Sequence, residues 1–297
     1  MELPEGLTTR PLVPADAAAV AAVMAAEELA DIGEVAIEEA DIIGDWQRPS
    51  FHLASSTIGV FEGDRLVGYA ERSGHARGDA AVDPGHHGRG IGTFLAGWLQ
   101  HTARDAGDDV IGMAVPQGSP GDRLLTALGF RVRWTSWVLE LPPGAEIPTR
   151  PLPAGYAVRE AAPTEHEAVW TVIEDAFLEW SVRPRQSFAD FTAGVMDRPG
   201  FAPWNLRVVT DRDGTVVGAA FVLLALGCGF VDRLAVRADQ RNQGLATALL
   251  VDAFAAARAH GAERSELSTD SRTGALGLYE NVGMQVTSTW LSRAMDL

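Results

Sequence analysis

At 297 residues the chain is long for one compact α/β domain and suits two domains of about 150 residues each. With 46% hydrophobic and 22% charged residues it is globular, and a formal net charge of -16 disfavours nucleic acid and anionic membrane as partners while mildly favouring an amine-bearing one. The lone Cys228 excludes an intrachain disulfide, and neither a basic leader nor an apolar run of about 18 residues is found, so a soluble, cytoplasmic protein is expected.

Leu7 to Leu12 reads as a first strand, after which Pro14-Ala15-Asp16 opens an alanine-rich helix with Val20, Val23 and Met24 on one face. The acidic stretch from Glu27 to Asp45 reads as helical or mixed, its carboxylates forming a solvated face or lining an amine site. Ser56 to Phe61 and Arg65 to Ala70 read as strands joined by Glu62-Gly63-Asp64. Ala80 to Pro84 then leads into His87-Gly88-Arg89-Gly90-Ile91-Gly92 and a helix to Gly107. The prolines from Pro142 to Pro153 mark an interdomain linker, since proline continues neither a helix nor a central strand.

Beyond the linker the order repeats. A strand from Tyr156 to Glu160 precedes a helix from Glu165 to Trp180, and strands follow at Trp204 to Val209, Val216 to Leu226 and Phe230 to Val236. Next come the turn Arg241-Asn242-Gln243-Gly244-Leu245-Ala246, an alanine-rich helix ending at Gly261, a short strand, and a helix carrying Tyr279. Gly90 and Gly244, Gly107 and Gly261, and Gly129 and Gly283 are each 154 positions apart, while Val67-Gly68 and Val217-Gly218 are 150 apart. A constant offset over three landmarks means duplication. The expected layout is a first domain over 1–141, a linker over 142–154 and a second domain over 155–297. The copies differ where chemistry is concerned: His87 stands for Arg241, and Leu125 for Tyr279.

A strand that ends in a glycine-bearing turn with a helix directly behind it presents unpaired amides and a positive dipole end to an anion. Gly244 allows close approach to the backbone and Ala246 keeps the next contact small. The run Arg241-x-x-Gly244-x-Ala246 after Leu234-Ala235-Val236, followed by Ser271-x-x-x-Ala275 and Leu278-Tyr279-Glu280-x-x-Gly283-Met284, resembles the GNAT-type N-acetyltransferases. The resemblance implies two tandem α/β domains, each with a mixed, mostly antiparallel central sheet flanked by helices. It implies acetyl-CoA as cosubstrate with no metal, the pyrophosphate arm on Arg241, Asn242, Gln243, Gly244, Leu245 and Ala246, and the pantetheine along the main chain of Leu234, Ala235 and Val236 where the strand splays. Ser271 stands where the family often has a cofactor-contacting Asn. The first copy keeps its glycines, so Val82, Gly88, Arg89, Gly90, Ile91 and Gly92 form a second candidate cradle, with weak donor binding or none and no catalysis expected there.

Transfer of acetyl to an amine needs a deprotonated amine, a stabilised oxyanion and a proton for the departing thiolate. By the resemblance Tyr279 is the general acid; a phenol of pKa about 10 is protonated at neutral pH. Asp232 is the candidate base, directly or through a water. Strand alternation puts it on the face of Leu234 and Val236, either buried in a salt bridge to Arg233 or Arg207 or bordering a cleft. Glu174, Phe177, Glu179 and Trp180, at the end of the second copy's first helix, are the candidate acceptor set, suited to hold an ammonium group. The expected function is acetyl-CoA-dependent acetylation of a small-molecule primary amine by the C-terminal domain, in a monomer or homodimer. The alternative is an acyl-CoA-binding sensor or scaffold without turnover.

Overall fold

The computed structural model describes residues 3–149 and 151–297. The chain divides into two compact units, residues 1–136 with 289–297, and residues 137–288. Along the first part run β1 (Thr8–Arg10), α1 (Ala17–Ile32), α2 (Glu39–Trp46), α3 (Leu53–Ser56), β2 (Thr57–Glu62), β3 (Arg65–Gly74), β4 (Arg77–Val82), α4 (Ile91–Asp105), β5 (Val110–Pro116), α5 (Pro120–Ala127) and β6 (Arg131–Glu140). The remainder holds β7 (Ala157–Glu160), α6 (His166–Leu178), α7 (Phe188–Val195), β8 (Leu206–Thr210), β9 (Val216–Ala225), β10 (Cys228–Val236), α8 (Leu245–Ala259), β11 (Arg264–Asp270), α9 (Leu276–Asn281) and β12 (Gln285–Asp296).

In unit 1, β1 to β4 form an antiparallel meander, β5 joins β4 in parallel, and residues 290–296 of β12 lie antiparallel to β5. In unit 2, β7 to β10 are antiparallel, β11 joins β10 in parallel, and β6 lies beside β11. Each sheet is thus mixed and mostly antiparallel with helices on its faces, the class expected.

The same side-chain pattern builds both halves. Helix α4 buries Ile91, Leu95, Ala96, Leu99 and Ala103, and α8 buries Leu245, Leu249, Leu250, Ala253 and Ala257 at the 154-residue offset. These positions form one helical stripe, which a sheet face covers. The backbone repeats as well: the Asp83 amide donates to the Val67 carbonyl and the Arg237 amide to the Val217 carbonyl, both at 2.9 Å.

The compact units do not divide where the prolines are. Residues 289–297 belong to unit 1, where Trp290 to Asp296 pair with β5 and Arg293 Nε donates to Asp122 at 2.5 Å. The proline-rich stretch belongs to unit 2: Leu141 and Ile147 are buried in its core, and Leu152 and Tyr156 pack against it. Prolines forbid regular structure there, but the apolar residues between them still bury surface, so the segment is docked. Cys228 is buried, and burial pushes its thiol up to about 12, as suits a small core residue.

Candidate functional site

The parallel pairing of β10 with β11 runs from Cys228 opposite Arg264 to Val231 opposite Leu267 and stops, although β10 continues to Val236 and β11 to Asp270. On the other edge Val231 pairs with Val222 and Arg233 with Phe221, which leaves Asp232 as an extra residue. Such a bulge bends its strand and sharpens the twist. The splay expected at Ala235 or Val236 therefore opens just past Val231, and Leu234 to Val236 keep β9 on one side and, among the described residues, no paired strand on the other.

The bulge also corrects the placement of Asp232. Arg233 and Ala235 lie opposite Phe221 and Ala219, on the face that packs against α6 and α7, whereas Leu234 and Val236 join the core under α8. Asp232 shares a regular face with neither. Its side chain is 39% exposed at the cleft and accepts from Arg233 Nε at 3.2 Å; Arg207 is engaged by Asp252 instead. Alternation cannot foresee an inserted residue.

The turn after Val236 is built for an anion. Asn242 (φ 64°) and Gly244 (φ 80°) are both left-handed, and α8 starts without a side-chain cap, so no capping side chain claims its first-turn amides among the described residues. A Cβ on Gly244 would meet nothing within 4 Å, so the space over the turn is open and would be lost to a larger residue. Gln243 is exposed, whereas Leu245 and Ala246 turn their side chains to the core and offer main chain only. Arg241 is committed: its Nε donates to the Val236 carbonyl at 3.1 Å, and Nη1 and Nη2 bind Glu179 at 2.7 and 2.6 Å. The Val236 carbonyl accepts this bond on one of its two lone pairs, and Arg241 is engaged within unit 2 by Val236 and Glu179.

Unit 1 repeats the frame with other groups. Gly88 (φ 76°) and Gly90 (φ 89°) take the left-handed positions, α4 is likewise uncapped, and His87 Nε2 lies 3.1 Å from the Val82 carbonyl as Arg241 does from Val236. Pro4 sits 3.7 Å from where a Gly90 Cβ would be, and Arg89 is paired with Glu62 at 2.9 Å. Ile91 is 1% exposed and packs in the core. Gly92 is reassigned: a Cβ there would strike Leu124 at 2.7 Å, so it is small to let α4 lie on α5.

Tyr279, on α9, is 8% exposed within the unit 2 core, and burial pushes its hydroxyl up to about 12. Among the described residues no protein group hydrogen-bonds that hydroxyl, and its setting is apolar. It stays protonated throughout the physiological range, as a donor to a thiolate requires. Its counterpart Leu125 is 3% exposed, a plain core residue. Ser271 is exposed immediately after the last residue of β11.

The acceptor set is more engaged with its own chain than its composition suggests. Glu174 is 1% exposed and bound by Arg183 at 2.7 and 2.8 Å and by the Gln186 amide at 2.9 Å. Burial opposes its ionisation, but these donors and Arg233 outweigh it and hold the carboxyl below its usual range. Glu174 thus pins the loop after α6 and is withdrawn as an acceptor contact. Phe177 and Trp180 lie 5.2 Å apart, and the Arg272 guanidinium sits 4.7 Å over the Trp180 ring while also binding Asp270. No sequence signal marked Arg183 or Arg272, which follow loops unreadable by periodicity.

A buried acidic group in unit 1 was also missed. Glu71 on β3 faces Asp79 on β4 directly across the ladder, and Glu27 of α1 accepts from the Val82 amide at 3.3 Å. Glu71 is 5% exposed and accepts from Trp46 Nε1 at 2.8 Å. Burial raises Glu27 to about 8, Glu71 to about 7 and Asp79 to about 6. Nearby, Asp31, Pro84, His87, Ser119 and Arg123 line an open cavity of about 360 Å³ between the ends of α1, β4 and β5. Among the described residues no His, Cys, Asp or Glu group is arranged to hold a metal, and no helix is long and apolar enough to cross a membrane.

A splayed parallel pair, an uncapped helix behind a left-handed turn, and the repetition of both 154 residues apart define a tandem acyltransferase fold. Residues 22–130 and 166–284 each match the model of the acetyltransferase (GNAT) family, and the chain belongs to that family. A mycothiol acetyltransferase of Thermobispora bispora is 28% identical over 240 residues, 75% of this chain and 78% of the relative. One from Salinispora arenicola is 29% identical over 252 residues, 80% of each. Among solved structures, a GCN5-related N-acetyltransferase from Sphaerobacter thermophilus superimposes with a TM-score of 0.76 at 26% identity, covering 99% of this chain and 97% of that one. A tandem GNAT protein from the clavulanic acid biosynthesis pathway gives 0.72 at 18% identity over 98% of both, a likeness of fold.

Proposed function

We propose that the protein transfers the acetyl group of acetyl-CoA to a primary amine on a small molecule, with the chemistry in unit 2. The observation that carries this reading is the Tyr279 phenol, buried and kept protonated, on a backbone whose twin in unit 1 holds Leu125. The family uses acyl-CoA, and the amides from Asn242 to Ala246 suit its diphosphate. The edge from Leu234 to Val236 suits a pantetheine arm, its amides an oxyanion.

In this reading the amine nitrogen attacks the thioester carbonyl, the C–S bond breaks, and the thiolate takes the Tyr279 proton. The ammonium proton leaves towards Asp232 or a water beside it, and the Arg233 contact orients that carboxylate. Phe177 and Trp180 form the acceptor-side wall. The mycothiol acetyltransferase relatives make a mycothiol precursor the first acceptor to try.

The test is thioester consumption over a panel of amines, with mycothiol precursors included, for the wild type and Tyr279→Phe. Turnover with one amine, lost in the variant, supports the reading. Acetyl-CoA binding without turnover across the panel would make unit 2 a sensor instead.

A further inference from the structure

The end of α6 touches both arms of the unit 2 cleft. Glu179 binds Arg241 through two parallel hydrogen bonds, and Arg241 in turn holds the Val236 carbonyl where β10 gives way to the donor turn. The next residue, Trp180, lies under Arg272, which is bound to Asp270 at the end of β11 and precedes the α9 helix carrying Tyr279. Adjacent residues on one helix end are thus fastened to the two strands that diverge.

In unit 1 the equivalent turns before the first helices start at Pro14 and Pro163, 149 positions apart, which sets Ala30 against Glu179. Ala30 and His87 both line the open cavity, and an alanine forms no ion pair. His87 still reaches the Val82 carbonyl, so the contact within the turn survives without the contact across the cleft. Unit 2 has the across-cleft tie and the tyrosine; unit 1 has neither.

We propose that Glu179 and Trp180 are positioning residues that set the gap between the donor turn and the tyrosine arm, an inference that rests on unit 2 being the acetyl-transferring unit. Glu179 neutralises Arg241 and keeps it off the diphosphate, so the turn binds its anion through amides held at a fixed angle. Trp180 does the same for the segment from Asp270 to Tyr279 through the stacked guanidinium. A bidentate pair that is partly exposed has a modest effect, so the expected change is about three- to fivefold in donor affinity.

The two roles open to Arg241 predict opposite signs. If Arg241 is held for positioning, Glu179→Gln weakens acetyl-CoA binding in calorimetry about three- to fivefold. The donor KM then rises in step while kcat stays within about twofold. If Arg241 is a phosphate ligand restrained by Glu179, Glu179→Gln binds tighter, which overturns the proposal.

Hydrogen exchange without donor decides the point independently of any catalysis. Amides 242–245 should exchange faster in Glu179→Gln, and amides 271–279 faster in Trp180→Leu, each leaving the other segment unchanged. Unchanged exchange in both overturns the proposal even if the enzyme turns over. If wild-type protein binds no acetyl-CoA, the functional reading falls while the exchange result still decides the positioning.

Discussion

From Val236 to Leu245 in unit 2, and from Val82 to Ile91 in unit 1, the chain follows one path: a strand end, a side chain reaching back to its last carbonyl, two left-handed residues and an uncapped helix. The groups around that path differ in sign. Unit 2 balances its carboxylates with Arg183, Arg241 and Arg272 and carries a phenol, whereas unit 1 buries Glu71 opposite Asp79 and carries Leu125 in the phenol's place. Duplication preserved what the backbone needs to form an anion cradle, and left free the side chains that decide whether anything happens there.

The largest effect should come from filling one cradle. Gly244→Trp puts a bulky side chain into the open space over the turn, at a φ that costs a non-glycine residue about 1–2 kcal/mol. Acetyl-CoA binding by unit 2 and turnover should both fall below detection, with wild-type calorimetry giving one tight equivalent. Persistence of that tight equivalent in the variant would move the donor site to unit 1 and reverse the comparison.

Tyr279→Phe should lower kcat by about 10²-fold or more, the usual size of a lost proton donor, and leave the donor KM within about twofold. Adding Leu125→Tyr should restore nothing, because unit 1 lacks the ties that set its cleft. Restored turnover in the double variant would show that the phenol alone separates the halves.

The third effect is on stability and separates the units by pH. Burial raises Glu27, Glu71 and Asp79, so folded unit 1 holds protons that the unfolded chain gives up. That contribution is complete below the unfolded values, near 4 to 4.5, and is lost as pH climbs through the folded values of about 6 to 8. Glu174 and Glu179 run the other way, since their arginine partners hold them low; their contribution is present above the unfolded value and is lost in acid. Hydrogen exchange under mild urea should therefore show unit 1 weakening from pH 5 to 8 while unit 2 holds. Glu71→Gln, which keeps a polar atom for Trp46, should remove up to about 3 kcal/mol of that slope. An equal decline in both units would show that the carboxylates of unit 1 are not the cause.

Much of this frame was legible in the sequence, and the reason is periodic spacing. Helices α4 and α8 announce themselves by apolar residues at helical intervals, and Gly90 and Gly244 by a fixed offset that survives substitution around them. What was not legible depends on through-space meetings. The bulge at Asp232 inserts one residue into an apparently regular strand, so its face was misread. Glu174 reads in sequence as a carboxylate on an acceptor helix, whereas Arg183, beyond the end of that helix, covers it. Glu27 sat in an acidic run that reads equally well as a wet surface; only its approach to the Val82 amide shows that it is half-buried. The prolines of 142–154 read as an interdomain linker, but the burial of Ile147 depends on a core that only the folded unit supplies.

The smallest expected effect asks how strictly the backbone is shared. Position 88 is glycine and position 242 is asparagine, yet both are left-handed, at φ 76° and 64°. Asparagine tolerates that region better than other side chains do, and glycine adopts it freely. If the turn needs the conformation and not the amide group, Asn242→Gly should change stability by about half a kcal/mol or less and keep donor affinity, because relief of strain offsets the greater freedom of the unfolded chain. Asn242→Ala should cost about 1 kcal/mol in urea unfolding and weaken donor binding, since alanine resists a positive φ. Equal behaviour of glycine and alanine would mean that the turn relaxes to another conformation, and the correspondence between the two cradles would then be one of sequence without the geometry that an anion reads.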